Sequence, residues 1–318
     1  MGELPEAQQN SVDRVAPKWA GRVDADGPEH TRWHQRVSEQ VQSDLPGAVA
    51  LIGFCSDAGV QRNQGRTGAA DGPASLRAAL SPLAIHSQRP LVDLGDVVVT
   101  GDDLEQGQDR LAAVVEQALD AGALPIVLGG GHETAYGTAS GLLNFLAAQP
   151  SKRIGVLNLD AHFDLRDEPR RSSGTPFLDI ARVMEKSGRE FNYAVVGISR
   201  PSNTSALFAR ADKLGVSYLL DEQCQPDRAQ RFVSEFLDRI DVLYLTIDLD
   251  VLPASVAPGV SAPAGFGVAF EVIDAVCRQV VQSGKLAVAD VVELNPKFDV
   301  DSRTARSAAR LIYHLAVG

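Results

Sequence analysis

Cysteine is scarce in this sequence of 318 residues. Cys55, Cys224 and Cys277 are the only three, they lie far apart, and they form no Cys-x-x-Cys pair. That count excludes a disulfide framework and predicts reduced, mostly buried thiols of a cytoplasmic protein. None of the three sits inside a motif, which disfavours a nucleophilic cysteine. Long apolar runs are also missing, none approaching the length of a membrane span, so no membrane partner is expected. The opening stretch, Met1-Gly2-Glu3-Leu4-Pro5-Glu6, has neither the basic nor the apolar region of a secretory signal. Positive charge is the third shortage. Thirty Lys and Arg against 41 Asp and Glu leave a net charge of −11, with no basic run, which argues against a nucleic-acid partner.

What remains is ordinary globular composition, 44% hydrophobic and 22% charged. No repeat, low-complexity tract or strong linker divides the chain. Residues 1–45 are polar, with Pro, Asp and Gly interspersed. Trp19 and the segment Arg32-Trp33-His34-Gln35 predict an N-terminal arm packed on one catalytic domain spanning 46–318. Residues 48–54, 124–128, 154–159, 193–198, 242–247 and 286–292 are apolar nearly throughout, as strands covered on both faces are. Between them, 104–119, 134–147, 228–240, 269–282 and 303–315 carry apolar residues at helical spacing. Strand–helix alternation predicts an α/β fold with a mostly parallel sheet covered by helices on both faces. Ligands of such sheets bind beyond the carboxyl ends of the strands.

Three short stretches sit at those ends. Gly129-Gly130-Gly131-His132-Glu133 follows one apolar run, Asp160-Ala161-His162-Phe163-Asp164 a second, and Asp248-Leu249-Asp250 ends a third. Residues two apart on extended backbone point the same way, so Asp160, His162 and Asp164, and likewise Asp248 and Asp250, are aimed into one cavity. The glycines before His132 let the backbone turn tightly and approach another segment closely. Two imidazoles and four carboxylates, His132, Asp160, His162, Asp164, Asp248 and Asp250, are enough donors for two divalent cations. Four carboxylates balance two such ions, whereas a lone zinc needs only three protein ligands and a water. Oxygen-rich ligation without thiolate suits Mn²⁺. A metal pair makes a hydroxide nucleophile from water at neutral pH, so these residues point to a metallohydrolase.

Over roughly residues 48–316 these motifs, with Thr246-Ile247 before Asp248 and Val251-Leu252-Pro253 after Asp250, resemble the ureohydrolases, the arginase and agmatinase superfamily. The resemblance implies a three-layer α/β/α fold with a mainly parallel eight-stranded sheet. It implies that His132, Asp160, Asp164 and Asp248 bind one Mn²⁺, that His162, Asp160, Asp248 and Asp250 bind the other, and that Asp160 and Asp248 bridge. Glu293, in Val292-Glu293-Leu294-Asn295-Pro296, matches the family's carboxylate that pairs with the cationic nitrogen of the substrate. A homo-oligomer, trimer or hexamer, is also implied.

Within the family, Arg62-Asn63-Gln64-Gly65-Arg66-Thr67-Gly68-Ala69, the residues Phe163 and Arg166, and Ser172-Ser173-Gly174-Thr175-Pro176-Phe177 resemble the branch that hydrolyses N-formimidoyl-L-glutamate to L-glutamate and formamide during histidine degradation. Ser173 stands where agmatinases read a proton-shuttling His. An amidine carbon lacks the third nitrogen of a guanidine and is easier to attack, so that loss is tolerable. Asp250 is the candidate proton relay. The small-molecule substrate carries two carboxylates, for which Arg166 is the best cation because a guanidinium binds carboxylate in a bidentate manner. Arg66, Asn63 and Arg62 are further candidates. Arg303, near Asp299, reads as structural, and Glu133 as an outer-shell or helix N-terminal acid. The same donor set also suits a guanidino hydrolase acting on agmatine or guanidinobutyrate. A single-metal deacetylase would leave His132, Asp164 and Asp250 without a role, and a catalytically silent relative would not need intact donors.

Overall fold

The computed structural model describes residues 12–39 and 45–318. Of the arm read over 1–45, residues 1–11 and 40–44 therefore lie outside the described residues. The strands are β1 (Val37–Ser38), β2 (Val49–Cys55), β3 (Leu91–Val98), β4 (Leu124–Leu128), β5 (Ile154–Leu159), β6 (Asn192–Ile198), β7 (Ser217–Leu220), β8 (Val242–Asp248) and β9 (Leu286–Val292). They form one sheet in the order β1-β3-β2-β4-β9-β8-β5-β6-β7, and every neighbouring pair is parallel. Among the described residues the count is thus nine, not the eight implied by the resemblance. It reaches nine through β1, a two-residue edge strand.

The helices are α1 (Ala58–Arg62), α2 (Gly72–Leu80), α3 (Leu104–Asp120), α4 (Thr134–Phe145), α5 (Pro176–Lys186), α6 (Ser205–Lys213), α7 (Pro226–Leu237), α8 (Phe270–Gln282) and α9 (Arg303–Val317). Alternation along a strand sends successive side chains to opposite faces. On β8, Leu243, Leu245 and Ile247 enter one core with Val233 of α7, Ile273 of α8 and Leu311 of α9. Tyr244, between them, enters the other with Leu111 of α3, Ala135 of α4 and Met184 of α5. A sheet buried on both faces explains the near-continuous apolar runs. Each fully buried Leu or Ile contributes about 1.5–3 kcal/mol, so these two cores hold the sheet ends in place.

Besides the two-residue β1, two strands break the apolar rule and have no counterpart among the predicted runs. In β3, Asp93 and Asp96 are buried where they meet Arg77 of α2. The edge strand β7 is only four residues long, and Ser217 and Tyr218 are half-buried. The arm joins the opposite edge, where β1 pairs with β3. Trp33 is fully buried with its ring centroid 6.4 Å from that of Tyr313, and Trp19 donates its indole N–H to Asp93 at 2.9 Å. No helix of the described residues is long and apolar enough to cross a membrane.

Candidate metal centre and active site

Four consecutive strands of the sheet, β4, β9, β8 and β5, deliver the site residues from their carboxyl ends. Leu159 pairs with Ile247, so Asp160 and Asp248 leave their strands side by side. Past β4, a Cβ on Gly130 would lie 1.9 Å from the carbonyl oxygen of Ser56, so only glycine permits this approach. Asp164 (φ 48°) and Glu293 (φ 68°) hold left-handed backbone that costs a non-glycine residue about 1–3 kcal/mol. That strain falls on two side chains lining the cavity.

The six side chains singled out as metal ligands converge. His132 Nδ1 lies 3.3 Å from Asp160, 3.0 Å from Asp164 and 3.2 Å from Asp248. His162 Nδ1 lies 3.0 Å from Asp250 and 3.5 Å from Asp160. Two donor sets, His132 with Asp160 and Asp248, and His162 with Asp160 and Asp250, each gather ligand atoms within 4.8 Å of one another. Asp160 belongs to both. Short backbone bonds fix the acids: His162 N–H donates to Asp160 at 2.6 Å and Asp250 N–H to Asp248 at 2.8 Å.

The chemistry of this set fits divalent cations. Among the described residues, no Lys or Arg forms an ion pair with any of the four aspartates. His132 Nδ1 is buried and lacks a hydrogen-bond partner, while Nε2 is 3.0 Å from the Thr246 hydroxyl. An Nε2–H bonded to Thr246 leaves the Nδ1 lone pair facing the carboxylates, the arrangement of a metal-ligating imidazole. Burial and the neighbouring charges of Asp250 and Asp160 push the Asp248 carboxyl well above its ordinary range. Burial would lower the His132 pKa, but Asp160, Asp164 and Asp248 override it and raise the imidazole well above its usual value. The protein thus concentrates negative charge that its own fixed cations do not offset.

A cavity of ≈ 330 Å³ opens onto this cluster. Its walls include Asn63, Arg66, Arg166, Ser173 and Glu293, every residue singled out from the sequence for substrate contact apart from Arg62. Glu293 Oε1 accepts from His132 N–H at 2.8 Å, whereas Oε2 is buried without a partner. Burial and the nearby Glu133 push its carboxyl up to about 8. Asn63 donates its amide to the Ser173 hydroxyl at 3.0 Å. Arg166 forms no ion pair among the described residues. Arg66 donates Nε and Nη2 to the carbonyls of Ser261 and Val260, at 2.9 and 2.5 Å, and stacks 4.0 Å over Phe298. It too has no acid partner.

Other candidates face elsewhere. Arg62 is held by Asp102, Glu105 and the Arg171 carbonyl. Arg303 donates to the Ser255 carbonyl, while Asp299 accepts from the backbone of Thr304 and Ala305 at the start of α9. Glu133 accepts from Ser56 Oγ and Gly59 N–H, both at 2.9 Å, outside the cavity lining.

Several supporting residues escaped the sequence reading. Asn158 donates to Asp160 at 2.8 Å and to the Tyr193 hydroxyl at 3.0 Å. Asn158 and Thr246 each stand two residues before an aspartate ligand candidate, so a polar side chain in an apolar strand was the available signal. Asn203, tied to the backbone around Phe163, gave no such signal.

The sequence model of the Arginase family matches residues 47–318. Formimidoylglutamase of Rhodococcus jostii is 56% identical over 302 residues, covering 94% of this chain and 94% of that one. Formimidoylglutamase of Nocardia farcinica is 53% identical over 302 residues, covering 95% and 96%. Among solved structures, Trypanosoma cruzi formiminoglutamase with Mn²⁺₂ aligns with a TM-score of 0.77 at 26% identity, covering 85% of this chain and 93% of that one. Formimidoylglutamase from Bacillus subtilis aligns with a TM-score of 0.81 at 24% identity, covering 93% and 94%, a likeness of fold. With its donors at the ends of neighbouring parallel strands and this match along its length, the chain belongs to the arginase family.

Proposed function

We propose that this protein hydrolyses N-formimidoyl-L-glutamate to L-glutamate and formamide with two Mn²⁺ ions per chain. The observation that carries this reading is one cavity facing two kinds of charge that are unmatched among the described residues: four aspartates without a fixed cation, and two arginines, Arg66 and Arg166, without an acid. The first suits a metal pair. The second suits the two carboxylates of a glutamate moiety, and it disfavours agmatine, whose far end is an ammonium. The names of the Rhodococcus and Nocardia relatives support the same substrate.

In this reading His132, Asp160, Asp164 and Asp248 hold one ion, His162, Asp160, Asp248 and Asp250 the other, and Asp160 and Asp248 are shared. Bound there, a Mn²⁺ pair supplies a water activated near neutral pH. The open Oε2 of Glu293 takes the amidinium N–H, a charge-assisted hydrogen bond that keeps the formimidoyl carbon beside the ligand cluster. Asp250 takes the proton released as water adds to the formimidoyl carbon and passes it to the glutamate nitrogen, so that the C–N bond breaks to give formamide and L-glutamate. Asn63 and Ser173, bonded to each other, add an amide and a hydroxyl to the cavity wall for polar contact with substrate. Arg166 grips the distal carboxylate, with Arg66 held in place by two carbonyls to support it.

The three unpaired cysteines suit a cytoplasmic setting. We infer further that residues 46–318 act as one catalytic domain in a homo-oligomer, with 1–45 as an arm on its edge. The test is a parallel assay of the Mn²⁺-loaded protein on N-formimidoyl-L-glutamate, agmatine and guanidinobutyrate. Formamide from the first alone is expected; urea from either of the others, without formamide, overturns the substrate.

A further inference from the structure

The loop after β5 that carries His162 and Asp164 has no helix or strand to satisfy its backbone. Ala161 and Phe163 are nevertheless buried, and buried backbone groups need partners. One side chain supplies two of them, on either side of His162. Asn203, only 6% exposed, accepts from Phe163 N–H through Oδ1 at 3.1 Å. Its Nδ2 donates to the carbonyl of Ala161 at 2.9 Å and to that of Ser199 at 2.9 Å. Ser199 N–H closes the arrangement by donating to Ala161 O at 2.9 Å. The amide therefore works as a rung of the β5–β6 ladder continued beyond the strand ends, bonding to both sides of His162.

Asn203 also belongs to the cavity wall, which invites a role in substrate contact. Its hydrogen bonds point the other way. The primary amide has two N–H donors and one carbonyl, and each already has a backbone partner. Its neighbours on the loop carry the stress of the site: Asp164 is in left-handed backbone, and the Phe163 carbonyl takes the Tyr193 hydroxyl at 3.1 Å. A left-handed aspartate persists only where surrounding bonds over-determine it.

We propose that Asn203 is a positioning residue of the metal centre, fastening the Ala161–Phe163 backbone so that His162 and Asp164 face the cavity together. Resting on the two-metal reading above, it assigns to an uncharged side chain, outside the donor set, control over how tightly the ions are held. Leucine at 203 has similar size but neither donates nor accepts. Without the amide, Phe163 N–H is left unpaired, and only the Ser199 N–H bond to Ala161 O still ties the loop to the end of β6.

The experiment compares the full-length wild type with Asn203→Leu and the smaller Asn203→Ser, measuring Mn²⁺ binding by titration with electron paramagnetic resonance of the free ion. Far-UV circular dichroism and hydrogen exchange over residues 160–166 accompany it. Wild type is expected to bind two ions. Both variants should keep the far-UV spectrum, exchange faster over 160–166, and bind Mn²⁺ about 10- to 100-fold more weakly, the range for outer partners of metal ligands. Excess Mn²⁺ should restore kcat with KM for substrate unchanged. Undiminished Mn²⁺ affinity in whichever variant folds overturns the proposal, as does a rise in KM alone, which would make Asn203 a substrate contact. Absence of Mn²⁺ binding by wild type is a separate result, which overturns the metal reading itself.

Discussion

Two clusters of buried charge sit on the same sheet and obey opposite rules. At β3, Arg77 bonds to Asp93 through Nε at 2.7 Å and Nη2 at 2.9 Å, and to Asp96 through Nη1 at 2.5 Å. Asp93 also takes the Trp19 indole N–H and the Gly95 backbone N–H. Both Asp93 oxygens and three guanidinium nitrogens have partners inside the protein. At the ends of β5 and β8, four aspartates gather around two histidines, and the one imidazole nitrogen facing three of them has no hydrogen-bond partner. A buried charge must be paired or must coordinate a metal. The first cluster is finished by the chain itself and serves the fold. The second is finished only by something that arrives.

Asp160→Asn should separate the two rules most sharply. Asp160 is common to both donor sets, so its loss should lower activity by more than the about 100-fold seen when an outer partner of a metal ligand is removed. Thermal stability of the metal-free protein should change little, because the carboxylate's attraction to His132 and His162 and its repulsion of Asp164 and Asp248 are lost together. Calorimetry with and without Mn²⁺ checks both halves.

Arg77→Met should show the reverse. It leaves Asp93 and Asp96 buried without their cation, an expected loss of about 3–5 kcal/mol in urea unfolding. The folded fraction should still bind Mn²⁺ in the wild-type ratio. A variant that kept its stability would erase the distinction between the clusters.

Chelation comes next in size. Removing Mn²⁺ held at a hundredfold excess over its dissociation constant should withdraw about 2.7 kcal/mol of linked stability for each ion released, visible as a lower Tm in wild type. In Asp160→Asn the shift should vanish, and in Arg77→Met it should persist.

Arg166 supplies the smallest expected effect and the mirror image of the aspartates, a cation at the cavity without an acid partner. Arg166→Gln should raise KM for N-formimidoyl-L-glutamate about tenfold or more, from the loss of a hydrogen bond between charged groups worth about 1.5–3 kcal/mol, with kcat and Mn²⁺ content unchanged. An unaltered KM would assign the distal carboxylate to Arg66 or to another group.

The two clusters also differ in how well the sequence announces them. Asp160, His162, Asp164, Asp248 and Asp250 follow apolar strands at two-residue spacing, which marks them in the sequence. But Asp164 sits in left-handed backbone and Asp250 in a 3-10 turn, so the loops beyond the strands, and not extended backbone, bring them together. His132 is flagged by glycines whose need is now visible in the Gly130–Ser56 approach. Asp93 and Asp96 hid their strand, because their partner Arg77 comes from a helix and nothing nearby in the chain explains two acids within β3. The same limit applies to Asn203, two of whose three bonds reach across from beyond the end of a neighbouring strand. Arginines were the hardest to rank. Arg62 ends α1 and Arg66 lies four residues on in the following loop, yet Arg62 is held by Asp102 and Glu105, while Arg66 reaches the cavity. Local pattern tells where charge is placed along the chain; only tertiary packing tells which charges cancel.

Counting Mn²⁺ bound to the intact, metal-reconstituted wild type by elemental analysis is the most direct test of twin ions in the aspartate cluster. Two ions per chain are predicted, both lost on chelation without loss of the far-UV spectrum. One ion per chain, or none, contradicts the two-metal centre.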